Sequence, residues 1–298
     1  MAVMMPSMSA TASLPEPSLA DRIPPHAFFM VSAVFHYLGP SFAVLLFAEM
    51  GVLGVAWLRI ASAAAVFALW CRPWRVLRDS NRRTRWLIAA LGVTLALMNS
   101  VFYLAIDRMP LATVAAIEFV ATIGIALIGL RSARNLAALA IAVGGVFLLI
   151  GFQWKADWLG LAFAVANALL FAGYIVLGHR ISRSGGAGGV QRLGAAMAVA
   201  LVVALPLGIG DVAPVLSHPL LILAGIGVGV SSSVIPYICD QLAMARLPRA
   251  TFALMLTLLP ATAAVVGVVV LRQVPSAIDV AGIVLVAFGV GLHKPAAD

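Results

Sequence analysis

Residues 104–113 read LAIDRMPLAT and residues 242–251 read LAMARLPRAT. Leu, Ala, Arg, Pro, Ala and Thr recur in register at a separation of 138 positions, which marks an internal duplication rather than chance similarity between apolar helices. The chain carrying it has 298 residues, 63% of them hydrophobic and 10% charged. Duplication in a chain of that composition points to a membrane protein built from two related helical bundles, an architecture common among secondary transporters.

A mean hydropathy of +1.09 exceeds what a soluble core requires, and crossing a bilayer takes about 20 apolar residues per helix. Apolar runs between charged or Pro/Gly punctuation predict ten spans, near 27–46, 52–71, 86–106, 110–130, 135–152, 157–178, 191–208, 219–244, 249–271 and 277–293. The fold expected is all-α and integral to the membrane. Residues 1–25 lack a continuous apolar stretch and read as a disordered cytoplasmic tail rather than a signal peptide or span. The repeats then divide as 26–153 and 154–298, five spans each. Because five is odd, the second repeat enters the membrane in the opposite sense, so the repeats are inverted, with a site expected near the midplane where they meet.

Orientation follows from basic residues, which stay on the cytoplasmic side. With both termini inside, the inner surface receives fifteen of the nineteen Lys and Arg, including Arg72, Arg75, Arg78, Arg82, Arg83 and Arg85 between the second and third spans. The outer connections hold Arg108, Lys155 and Arg272, and Arg59 lies within the second span. This map accounts for the net charge of +8 without a nucleic-acid partner; the basic cluster fixes topology and meets anionic headgroups of the lipid bilayer. No GxxxxGK[ST] phosphate loop occurs, and the glycines at 225, 227 and 229 sit inside an apolar span, so the chain does not drive transport with ATP on its own, and no ATPase subunit is evident in it. Cys71 and Cys239 fall within spans and suggest neither a disulfide framework nor a metal site.

The segments WLRIASAAAVFALWCRPWR at 57–75, NSVFYLAIDRMPLATVAAIEF at 99–119 and SSVIPYICDQLAMARLPRATFALMLTLLP at 232–260 resemble the ten-helix EamA branch of the drug/metabolite transporter superfamily. The resemblance covers nearly the whole chain after the tail. It is nearest to the bacterial threonine and homoserine exporters and more distant to the aromatic amino acid exporters, and it implies efflux of an amino-acid substrate across the bacterial inner membrane. Family members often carry Gly-Pro after the acid of the fourth span, where this chain has Ala121 and Thr122. They often have an acid before the ninth-span proline and Gly-Glu at that helix's end, where this chain has Leu259 and then Arg272-Gln273.

Polar side chains inside spans face a cavity or another helix, because lipid leaves them unsatisfied. All four tyrosines, Tyr37, Tyr103, Tyr174 and Tyr237, fall in the first, third, sixth and eighth spans. The 138-residue offset maps His36 onto Tyr174, Asn99 onto Tyr237 and Tyr103 onto Gln241, so polar positions recur at matching depth in both halves. Asn99 and Tyr103 share a helical face, as do Tyr237 and Gln241. These residues and Glu118 are the candidate substrate-binding set; the competing reading makes Tyr103 and Tyr174 interfacial anchors near helix ends.

Arg59 and Glu118 lie equally deep, so they either neutralise each other or attract a substrate carboxylate and ammonium, with Glu118 or His36 also able to carry a proton. Asp240 is a further coupling candidate, or it faces the headgroups or Arg246. Pro40, Pro236 and Pro260 are hinge candidates, since each frees a backbone carbonyl; the serines at 231–233 are placed to satisfy such groups or to meet substrate. The five histidines are scattered, and no HExxH or nucleophile–base pattern occurs, so neither an enzyme nor a cofactor is expected.

Overall fold

The computed structural model describes residues 23–129, 132–150, 157–183, 186–212, 217–247, 252, 255 and 259–292. Most of the expected tail, Lys155, Arg131 and residues 248–251 of the LAMARLPRAT window lie outside the described residues. Helices and their connections account for all that is described, with no strand.

Ten apolar helical segments follow one another: α1 Pro25–Val44, α2 Val52–Cys71, α3 Arg82–Ile106, α4 Leu111–Gly129, α5 Ala133–Ile150, α6 Trp158–Ser182, α7 Gly186–Val212, α8 Pro219–Arg246, α9 Leu259–Leu271 and α10 Ala277–Leu292. Six of them, α1 to α3 and α6 to α8, are long and apolar enough to cross a membrane, and the other four are apolar and shorter over their described residues. Two short helices, Phe47–Met50 and Pro73–Asp79, were not expected from hydropathy.

Helix boundaries follow local chemistry where it departs from the hydropathy estimate. The third span was expected to begin at residue 86, but Asn81 accepts a hydrogen bond from the Thr84 amide at 2.8 Å and starts α3 at Arg82, so the arginine-rich turn is helical. Asp157 caps α6, accepting from the Leu159 and Gly160 amides at 3.1 and 3.0 Å. It also pairs with Arg108 at 3.0 Å, tying the α3–α4 connection to the start of the second half. The Gly160 amide first, then Arg108, holds the Asp157 carboxyl below the usual carboxylate range.

The packing has the symmetry of an inverted repeat. Replacing every helix by the one five places along turns the α3·α6 contact into α8·α1, α4·α6 into α9·α1 and α3·α7 into α8·α2, and all six pairs exist. Three further contacts, α2·α7, α5·α10 and α4·α9, join a helix to its own equivalent. Those equivalents run antiparallel: Gly145 of α5 lies against Gly282 and Val286 of α10, while Gly289 lies against Ala138 and Ala142. On α2 and α7, Gly194 meets Cys71 and Phe67 at one end, and Gly208 meets Leu53 and Trp57 at the other.

The α5·α10 contact depends on one member of a glycine pair. A Cβ on Gly145 would stand 2.7 Å from the Gly282 carbonyl oxygen and 2.8 Å from the Val286 nitrogen, both backbone atoms, whereas a Cβ on Gly144 meets nothing within 4 Å. Overpacking against backbone costs about 1–3 kcal/mol. Gly145→Val should therefore lower the thermal unfolding midpoint in detergent by several degrees, while Gly144→Val leaves it near the parent value. Equal behaviour of the two variants would contradict this helix contact.

Candidate functional site

The symmetry has a visible centre. Asn99 on α3 and Tyr237 on α8, equivalent positions of the two repeats, bond to each other: the Asn99 amide nitrogen donates to the Tyr237 hydroxyl at 3.2 Å, and that hydroxyl lies 3.3 Å from the Asn99 carbonyl oxygen. Two equivalent side chains can meet in this way only beside the pseudo-two-fold axis, so this pair marks where the halves join. Both are buried, and the Asn99 nitrogen also donates to the Leu95 carbonyl at 2.7 Å.

Around this centre the structure gathers the residues singled out from sequence. Asn167 on α6 donates to Glu118 Oε2 at 2.7 Å, and His36 Nε2 on α1 stands 3.9 Å from Glu118 Oε1. Asp240 on α8 accepts from Ser32 of α1 at 2.5 Å and from the Tyr174 hydroxyl of α6 at 3.0 Å. The Tyr174 ring lies 5.4 Å from that of Tyr237, linking the Asp240 cluster to the Asn99–Tyr237 pair. His36, Ser32, Tyr174 and Asp240 also line one void of about 10 Å³, room for about a single water.

Three expectations change against this geometry. Tyr103 and Tyr174 are fully buried, so the interfacial-anchor reading fails. Asp240 faces Ser32 and Tyr174, and Arg246 stacks on the Phe28 ring at 5.1 Å. Arg59 is held by serines: its Nε donates to Ser233 Oγ at 2.8 Å, its NH2 to the Ser232 carbonyl at 2.5 Å, and its guanidinium lies 5.3 Å from the centre of the Tyr103 ring.

The Arg59 contact follows from Pro236. In an α-helix the Ser232 carbonyl would accept from the amide four residues on, but that residue is proline and has no N–H. Helix α8 widens into one π turn, Val230–Val234, just before it, and the orphaned carbonyl is taken by Arg59 from α2. A cation buried at 3% exposure thereby gains hydrogen bonds that lipid cannot supply. Gly229 permits the approach, since a Cβ there would overlap the Ser62 hydroxyl of α2. Pro40, the second hinge candidate, sits beside this turn, because its neighbour Gly39 packs directly on Ser232. Pro260 is the second residue of α9, and 256–258 before it lie outside the described residues.

Several buried polar atoms have no hydrogen-bond partner among the described residues: the Tyr37 and Tyr103 hydroxyls and both amide atoms of Gln241. Tyr103 and Gln241 are repeat equivalents, so each half keeps one such group at the same position. Sequence reading misses Ser32 and Asn167, which hold Asp240 and Glu118; Ser233, which holds Arg59, belongs to the serine run at 231–233 that the sequence marks for backbone groups or substrate and not for a charge. A polar residue deep in an apolar run was the available signal for Asn167; Ser32 gave none, because a single serine is common in membrane helices.

Ten apolar helices in two inverted halves, closed around a buried polar centre, are the architecture of a membrane transporter. The EamA-like transporter family matches residues 158–293. The threonine/homoserine exporter RhtA of Escherichia coli (strain K12) is 30% identical over 238 residues, 79% of each chain. RhtA of Salmonella typhimurium (strain LT2) is 29% identical over 245 residues, 81% of each chain. A solved crystal structure only 16% identical shares the fold, with a TM-score of 0.59 over 90% of this chain and 96% of that one. The chain belongs to the EamA-like transporter family of the drug/metabolite transporter superfamily.

The Arg59 contact yields a double-mutant test. Arg59→Gln removes the donor to the Ser232 carbonyl and should cost on the order of 1–3 kcal/mol, the price of an unsatisfied buried group. In a Pro236→Ala background, where the helix can supply an amide, the same substitution should cost measurably less. Thermal unfolding of the four proteins reads the difference; an equal cost in both backgrounds would separate Arg59 from the proline.

Proposed function

We propose that this protein is a bacterial inner-membrane exporter of amino acids, threonine- and homoserine-like or other neutral and aromatic ones, working by alternating access. The two repeats, 26–153 and 154–298, rock about the Asn99–Tyr237 pair, with both termini in the cytoplasm. The observation that carries this reading is the bond between these two equivalent residues, because it lies between the halves and near buried polar groups that have no hydrogen-bond partner among the described residues. The similarity to relatives named threonine/homoserine exporters supports the substrate class.

In this reading Glu118, oriented by Asn167 and His36, attracts the substrate ammonium, and Arg59 attracts the carboxylate. Tyr37, Tyr103, Tyr174, Tyr237, Asn99 and Gln241 supply hydroxyl and amide contacts. The void of about 10 Å³ beside His36 and Asp240 is far below the roughly 300 Å³ and upward of small-molecule pockets, and on this reading the site opens by helix movement at Pro40 and Pro236. Glu118, His36 and Asp240 are the groups available to carry a proton. No cofactor and no enzymatic step is assigned. Other small metabolites or drugs are the competing substrate class.

Counterflow in proteoliposomes tests the proposal: vesicles preloaded with single amino acids, labelled threonine or phenylalanine outside, with and without a pH gradient. Accumulation of label is expected; its absence with every amino acid would move the substrate to the wider metabolite class. Glu118→Gln should lower uptake by about tenfold, equivalent to about 1.4 kcal/mol, or abolish any response to the gradient. Unchanged flux together with an unchanged response would remove Glu118 from the mechanism.

A further inference from the structure

At the Cys71 end of α2, away from the central site, the surface opens into a cavity of about 650 Å³. Its walls come from both halves of the protein: the end of α2 and the short helix Pro73–Asp79 on one side, and Gly188, Gln191 and Arg192 at the start of α7 on the other. Cys71 joins the walls, its thiol donating to the Val190 carbonyl at 3.8 Å. The backbone turns sharply at Arg72, which adopts a left-handed φ of 47°. Few non-glycine residues hold that conformation, and here it swings the chain from the span into the short helix, setting Arg72 on the cavity wall.

The wall is basic. Arg72, Arg75 and Arg192 line it together with one acid, Asp79, and Asp79 is already engaged by Arg78 at 3.2 Å. Arg85 closes the connection from behind by donating to the Ser80 carbonyl at 2.8 Å. The lip, in contrast, is apolar and bare: Leu69 is 87% exposed and Trp70 65%. A guanidinium cluster suits a phosphate, which it binds through paired N–H donors. Leu69 and Trp70 beside it, at the end of a spanning helix, suit the glycerol and upper acyl region of a lipid.

We infer that this cavity binds the phosphate headgroup of an anionic phospholipid, with Arg75 and Arg192 clasping the phosphate from the two halves and Leu69 and Trp70 covering the chains. A soluble phosphate would leave the apolar lip uncovered, whereas a lipid satisfies both parts of the site. Since α2 and α7 are equivalent helices of the two repeats, a headgroup held between them fastens one repeat to the other at the membrane surface. The lipid composition of that leaflet then bears on the rocking of the halves. This inference rests on the membrane fold and not on the identity of the transported substrate.

The test is native mass spectrometry of the full chain released from detergent, after equilibration with dioleoylphosphatidylglycerol or dioleoylphosphatidylcholine, with soluble glycerol 3-phosphate as competitor. The parent protein should retain the anionic lipid on the order of tenfold over the zwitterionic one. Arg75→Gln and Arg192→Gln, read singly and together, should each reduce that preference, while Arg180→Gln/Arg183→Gln, which removes equal charge from the end of α6 outside the cavity, should leave it intact. Equal loss in the control pair would mean diffuse surface attraction and would overturn the site. Displacement of the lipid by millimolar glycerol 3-phosphate would overturn the lipid as its occupant. Size-exclusion profiles identify any variant that fails to fold, and one folded cavity variant suffices for the comparison.

Discussion

The hydrogen bond between Asn99 and Tyr237 is the contact from which the rest of the architecture can be understood. Residues related by duplication touch only on the symmetry axis, and a pair of hydrogen-bonding groups buried there binds the repeats to each other. The outer contacts follow the same rule with other chemistry. Helices α2 and α7, and α5 and α10, meet their own equivalents at glycines, because small residues are what allow close helix approach when lipid tails are as apolar as the side chains.

Symmetry in the backbone is joined to asymmetry in charge. The charged members of the core, Arg59, Glu118 and Asp240, have apolar equivalents in the other half: Met197, Leu256 and Phe102. Under the proposed alternating access, the repeats would supply two related conformations and the charges would distinguish them, since exchanging the conformations of the halves would not exchange the electrostatic surroundings. Arg59 shows how such a charge is kept in an apolar interior: it replaces an amide that Pro236 lacks, so cation and helix defect compensate each other. The bonds from α2 to the π turn of α8 hold one repeat against the other at the position where α8 is least regular.

Much of this was legible in the chain. The 138-residue offset, read from ten residues, paired Asn99 with Tyr237 and Tyr103 with Gln241 before their positions in space were known. Hydropathy located α2 at its observed ends, since both are marked by sharp changes in polarity at Gly51 and Arg72. It failed at α3, where an asparagine cap sets the helix start rather than the apolar run. The partners of the buried charges were not legible. Equal depth suggested that Arg59 and Glu118 face each other, but depth says nothing about rotation around a helix, and the partners, Ser233 and Asn167, come from helices more than 45 residues away in sequence. The basic cluster after α2 was visible as charge, whereas its assembly into a cavity with Arg192 depends on α2 and α7 lying side by side.

The account turns on whether the polar centre between the repeats faces each side of the membrane in turn. Tyr237→Cys, placed in a chain with Cys71→Ser and Cys239→Ser, puts a single reactive thiol at that centre. Its labelling by a membrane-impermeant thiol reagent can be followed from either side of oriented vesicles. Alternation of the halves predicts labelling from both sides, with transported amino acid changing the ratio of the two rates. Labelling from one side alone, unaffected by any amino acid, would contradict it.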